Sequence, residues 1–182
     1  MIIEGPEGNG QRPQLELFQV LFESNNWTLP TTLEVIKPAG EAFQKKLKEA
    51  GWSSNEIFGL HLGFHEALVN AIVHGNLGIN DIKQEQDLED LVQEELKKNP
   101  AKKNKKVHVV LSITRDRVFV KIIDEGVGFQ SEEIPESMPP VGREETSGRG
   151  MVLMGKYFDS AYYIENQSGI GGTTVLEKEK LE

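Results

Sequence analysis

The segment Glu66-Ala-Leu-Val-Asn70-Ala-Ile-Val-His74-Gly-Asn76 constrains this chain more than any other, because an otherwise apolar helix carries a carboxylate, a carboxamide and an imidazole at intervals of four residues. At about 100° per residue, Glu66, Asn70 and His74 fall within a stripe roughly 80° wide. Ala67, Leu68, Ala71 and Ile72 cover the rest of the surface, and Val69 and Val73 border the stripe. Such a helix is buried on most sides and aims its polar groups at one place. A stripe that merely faced water would be built from Lys, Glu and Arg. Asn is a poor interior helix former, since its side chain competes for backbone hydrogen bonds, so Asn70 between Val69 and Ala71 points to a site rather than a wet edge.

At 182 residues the chain has the length of one domain with a sizeable core. Residues 1–13 are Gly-rich and acidic and read as a flexible leader, leaving 14–182 as the folded domain. The leader lacks the positive start and apolar core of a secretory signal, and no run is long enough to cross a bilayer. A formal charge of -9 opposes nucleic-acid binding as a main activity, because phosphate backbones are held by clustered Lys and Arg. The absence of cysteine excludes disulfides, thiolate nucleophiles and cysteine-ligated metals. A cytoplasmic protein with no direct nucleic-acid or membrane partner is expected.

Residues 15–22 read as a first strand, after which Pro30 breaks the chain. Thr31 or Thr32 caps a helix to about Ala50, stopped by Gly51. Ser53 or Ser54 caps a longer helix, with Glu56 near its positive end and its own end near Gly75. An insertion at about 80–106 follows, acidic and then basic, in which Leu88, Leu91, Val92 and Leu96 sit at helical spacing and Asn99-Pro100 ends the helix. The Lys102, Lys103, Lys105, Lys106 run reads as a solvated connector. Val107–Thr114 and Val118–Asp124 form a hairpin around Arg115-Asp116-Arg117. Gly126 to Gly148 is a long loop, Gly150–Phe158 a short helix, and Ala161–Glu165 and Thr173–Glu177 two last strands. This order gives an α+β fold, a two-layer sandwich with a mixed or antiparallel sheet covered on one face by helices.

Two further motifs carry chemistry. Asp124-Glu-Gly126-Val-Gly128 ends an apolar strand at a carboxylate followed by alternate glycines, which permit close ligand approach. Ser147-Gly148-Arg149-Gly150 leads into a helix whose N-terminus and fixed positive charge suit phosphate oxygens. Gly150-x4-Gly155-Lys156 imitates a P-loop, but Tyr157 replaces the hydroxyl that holds magnesium and the intervening Met, Val, Leu and Met belong to a core helix. The dinucleotide pattern fails because Leu153 stands at its third glycine. His61 and His65 have zinc-like spacing, yet the His-Glu-x-x-His pattern is absent and both read as packing residues on the apolar side, away from Glu66.

Taken in order, Glu66-x3-Asn70-x3-His74, Asp124-x-Gly126-x-Gly128 and Gly148-x-Gly150 resemble the nucleotide-binding boxes of the histidine-kinase-like ATPase superfamily, the Bergerat fold shared with gyrase and the heat-shock chaperones. Gly171-Gly172-Thr173-Thr174 resembles its last adenine-site strand. Within the superfamily the chain looks most like the bacterial anti-sigma factor serine/threonine kinases, although the 80–106 insertion is longer than their helix-to-strand link. The resemblance implies ATP and Mg2+ as cofactors. Asn70 would be the metal ligand, Glu66 the catalytic base, and Asp124 the acceptor for the adenine amino group. Gly126 and Gly128 would let the ring approach, and Thr173 would help fix it, strand alternation turning Thr174 to the opposite face. Gly148, Arg149 and Gly150 would close on the phosphates, with His74 on the phosphate side.

The implied function is a Mg-ATP-dependent serine/threonine kinase that phosphorylates an anti-sigma factor antagonist, sequesters a sigma factor and forms a homodimer. Two alternatives stand beside it. One is a histidine-kinase catalytic module, opposed by the lack of a dimerisation helix bearing a phospho-accepting His. The other is a non-catalytic ATP-gated binding protein whose loop at 129–147 orders over nucleotide.

Overall fold

The computed structural model describes residues 22–80, 82, 86–126, 149–165 and 171–180. Among the described residues five strands form one sheet: β1 Asn26–Pro30, β2 Lys106–Ile113, β3 Arg117–Asp124, β4 Ser160–Glu165 and β5 Gly172–Glu179. Their order is β1-β2-β3-β5-β4, and every neighbouring pair is antiparallel. The α+β architecture read from the sequence is therefore present, with an antiparallel sheet.

The sequence reading sets a first strand at 15–22. That segment lies outside the described residues except for Phe22, which is helical. The first strand among the described residues is Asn26–Pro30, whose Trp27 and Leu29 are buried opposite Val109 and Val107. Pro30 ends it at the sheet edge, where a missing N–H removes no ladder bond.

Four helices are described: α1 Ile36–Glu49, α2 Ser54–Asn70, α3 Leu88–Lys98 and α4 Arg149–Tyr157. Short-range chemistry sets several of their ends. Gly51 takes φ +86°, and the bonds Gly51 N–H to Lys48 O and Trp52 N–H to Leu47 O form a Schellman closure of α1. Ser53 and Glu56 make a reciprocal capping box at the start of α2, and the Ser53 hydroxyl is the main cause that holds the Glu56 carboxyl below its ordinary range. Thr32 stands before the 3-10 turn Leu33–Val35 without a side-chain cap. Thr31 instead donates its hydroxyl to Lys105 O at 2.7 Å. Asp87 caps α3 by accepting from Glu89 N–H at 2.8 Å.

The core lies between the sheet and α1 and α2. Phe43 and Phe64 stack at 4.4 Å, and Trp27 of β1 meets Phe64 edge-on at 6.2 Å. Helix α4 packs against α2 where α2 carries glycines: a Cβ at Gly59 would collide with the Tyr157 ring, and one at Gly63 would lie 2.7 Å from Phe158 Cε2. Gly63→Val is expected to cost about 1–3 kcal/mol by overpacking, read as a lower urea midpoint with an unchanged slope. Among the described residues, no helix is long and apolar enough to cross a membrane.

Candidate functional site

Glu66 and Asn70 occupy the last turns of α2. The Glu66 side chain is 32% exposed, with Oε1 3.9 Å from His65 Nδ1. His65 therefore does not turn away from Glu66 as its helical position suggested. The His61 and His65 rings are 6.4 Å apart, and no cluster of three metal-ligating side chains exists among the described residues. Asn70 is half-buried, and its carboxamide has no hydrogen-bond partner among the described residues. Gly59 meets Tyr157 and Gly63 meets Met154, so α2 and α4 run antiparallel. That direction carries the α4 backbone start, Arg149–Gly150, toward the Glu66–Asn70 end of α2. Gly128 and Gly148 lie outside the described residues.

Beyond Asn70 the helix does not continue as the uniform α-helix to Gly75 that the spacing predicts. Ala71–Asn76 is a π-turn, closed by Leu77 N–H to Ile72 O at 3.0 Å. The wider turn changes the angular step of the side chains beyond Asn70. His74 Nδ1 lies 2.6 Å from Ile79 O, which engages the imidazole with the backbone of its own exit segment.

The π-turn delivers Gly75 against Asp124. A Cβ on Gly75 would sit 2.5 Å from Asp124 Cγ, and one on Gly126 would collide with Gly75 O. Asp124 ends β3 and is 4% exposed. Its Oδ1 accepts from Gly126 N–H at 2.9 Å and from Gly172 N–H at 3.2 Å. Burial pushes this carboxyl above its ordinary range, and the two backbone bonds and the Lys105 charge offset only part of that shift. Gly171, at φ +75°, donates its N–H to Gly126 O at 2.6 Å, which closes the ends of β3 and β5 together.

Thr173 and Thr174 follow on β5. The register sets Thr173 opposite Ile123 and Thr174 opposite Ile122, so alternation puts Thr174 on the side of the sheet from which Asp124 projects. Thr173 is buried at 4% exposure and Thr174 half-buried. The choice of Thr173 rests on the family pattern and not on strand alternation.

A further residue emerges that spacing did not single out. Asn76, 0% exposed, donates from Nδ2 to Thr31 Oγ1 at 2.8 Å and to Lys106 O at 3.0 Å. Its Oδ1 accepts from Glu125 N–H at 2.7 Å. An Asn after Gly at a helix end reads as an ordinary stop signal, which conceals this role. The lysine run is likewise more than a solvated connector: Lys102 donates to Leu77 O and pairs with Glu95, and Lys105 donates to Asn76 O at 3.2 Å.

Chemically, the site offers a buried acceptor carboxylate walled by glycines, a neutral carboxamide oxygen without a partner among the described residues, and a partly exposed carboxylate one turn from it. That donor set fits a purine base at Asp124 and a hard cation, which prefers oxygen ligands, at Asn70. No curated protein matches the chain at a significant level. A family model for the histidine kinase-like ATPase domain matches residues 29–177, spanning β1 to β5 and each described element of the site. The chain belongs to the histidine kinase-like ATPase domain family, a domain that implies ATP binding.

Proposed function

We propose that this protein is a Mg-ATP-dependent serine/threonine protein kinase that acts in the cytoplasm as an anti-sigma factor, phosphorylating an antagonist protein and sequestering a sigma factor in a partner switch. The observation that carries the reading is the pair Glu66 and Asn70, one turn apart at the partly exposed end of α2, with the Asn70 carboxamide free of partners among the described residues. Homodimerisation belongs to the same proposal.

Asn70 would hold Mg2+ through its neutral carboxamide oxygen. Asp124 would accept from the adenine amino group, with Gly126 and Gly128 leaving room for the ring and a threonine of the 173–174 pair steadying it. Gly148, Arg149 and Gly150 would take the phosphates, the guanidinium suiting phosphate oxygens. When bound, Mg-ATP supplies an activated phosphoryl group whose charge the cation neutralises. Glu66 then needs only to orient the acceptor hydroxyl and take its proton.

Incubation with magnesium, labelled ATP and a candidate antagonist tests this directly. Acid-stable label on Ser or Thr of the antagonist is the expected result. Acid-labile label on a histidine would replace the acceptor assignment. Tight nucleotide binding with no transfer to any candidate partner would contradict a kinase.

A further inference from the structure

The proposed nucleotide site depends on a carboxylate whose surroundings are assembled from four separate stretches of chain. Gly75 backs the Asp124 carboxyl, and the next residue, Asn76, accepts the N–H of Glu125, the residue after Asp124. The Asn76 carboxamide therefore grips the strand end on one side of Asp124, while Gly75 O closes on Gly126 on the other. Both Nδ2 bonds lead elsewhere: one to Thr31 before α1, one to Lys106 at the start of β2. Thr31 in turn donates to Lys105 O, and Lys105 Nζ returns to Asn76 O. This ring of bonds connects the 88–105 segment to the residues that frame Asp124. Lys102 adds a second connection, joining Glu95 of α3 to Leu77 O just past the π-turn.

We infer that Asn76 is the positioning residue for the Asp124 carboxylate, that it sets the preference for adenine over guanine, and that Lys105 extends this control to the 88–105 segment. The inference rests on the nucleotide reading proposed above. A guanine presents a carbonyl where adenine presents its amino group, and a carboxylate held in place favours the amino donor and repels the carbonyl. If Asn76 is lost, the 124–126 backbone and the π-turn can shift relative to each other. The carboxylate then discriminates less, even where the rest of the fold persists. A residue that only stabilised the fold would lower the melting temperature and leave the base preference alone.

The experiment is calorimetric titration of the full chain with ADP and with GDP, on wild type, Asn76→Ala, Thr31→Val, Lys105→Met and Asp124→Asn, with ligand-free thermal unfolding recorded for each. Asn76→Ala is expected to compress the GDP-to-ADP ratio of dissociation constants by about tenfold, the scale on which one charge-assisted contact discriminates. Lys105→Met, which removes one half-buried tether, should shift the ratio the same way by about two- to threefold. Where Asn76→Ala does not fold, Thr31→Val and Lys105→Met carry the test through the same ratio. An unchanged ratio in every folded network variant, together with a collapsed ratio in Asp124→Asn, would overturn the positioning role while leaving the nucleotide site intact. An unchanged ratio in Asp124→Asn itself would overturn the nucleotide reading and this inference with it.

Discussion

Asp124→Asn is expected to weaken ADP binding about ten- to a hundredfold while making the ligand-free protein more stable at neutral pH. The loss follows from replacing a charged acceptor, since hydrogen bonds to charged groups contribute about 1.5–3 kcal/mol and each 1.4 kcal/mol is a factor of ten. The gain follows from burial. The Asp124 carboxyl is held above its ordinary range chiefly by desolvation, so the folded chain carries the cost of keeping that charge dry. Asn keeps an acceptor oxygen for Gly126 and Gly172 N–H and removes the charge.

The sign with pH is fixed by the direction of the shift. Because the folded group binds its proton more tightly than the unfolded one, its effect on stability is most favourable below the ordinary carboxylate value. Stability is then lost as pH rises through the elevated folded value. ADP affinity moves oppositely, falling as the pH is lowered through that value and Asp124 gains a proton. Urea unfolding and ADP titration across pH, on wild type and Asp124→Asn, check both slopes. A variant that binds ADP as well as wild type would remove Asp124 from the adenine site.

Glu66→Gln is expected to reduce phosphoryl transfer to the antagonist about 10²- to 10⁴-fold, the usual contribution of general acid–base catalysis, while ADP affinity stays near the wild-type value. The amide keeps the shape of the side chain and loses its ability to accept a proton. Glu66 is partly exposed and its only ion pair among the described residues is with His65, so removal of its charge strands no buried partner. Single-turnover transfer measured beside ADP titration separates the two effects. Full transfer in the variant would reject Glu66 as the base. A parallel collapse of nucleotide affinity would instead give Glu66 a part in binding.

The features legible in the sequence are those set by short-range chemistry. Gly51 as a stop, Ser53 with Glu56 as a start, the Leu88–Lys98 helix and the hairpin around Arg115–Arg117 all depend on residues within a few positions of one another. Asp124 by itself reads as ordinary Asp-x-Gly turn chemistry, and its burial at the end of β3 depends on Gly75 and Gly172 from distant parts of the chain. What escaped depends on distant partners. The strand 26–30 is recognised by pairing with β2, some 80 residues along the chain for Thr28 and His108. Ala-Ile-Val fits an α-helix as readily as a π-turn, so the change of helix type after Asn70 leaves no mark in composition. Asn76 is defined by contacts 45, 30 and 49 residues away, at Thr31, Lys106 and Glu125.

The most direct measurement is a crystal structure of the chain grown with ADP and magnesium. The account predicts the adenine amino group within hydrogen-bond distance of the Asp124 carboxylate and the Asn70 carboxamide oxygen on the metal. A nucleotide bound elsewhere, or Asp124 closed off by neighbouring side chains while Asn70 faces bulk water, would contradict it.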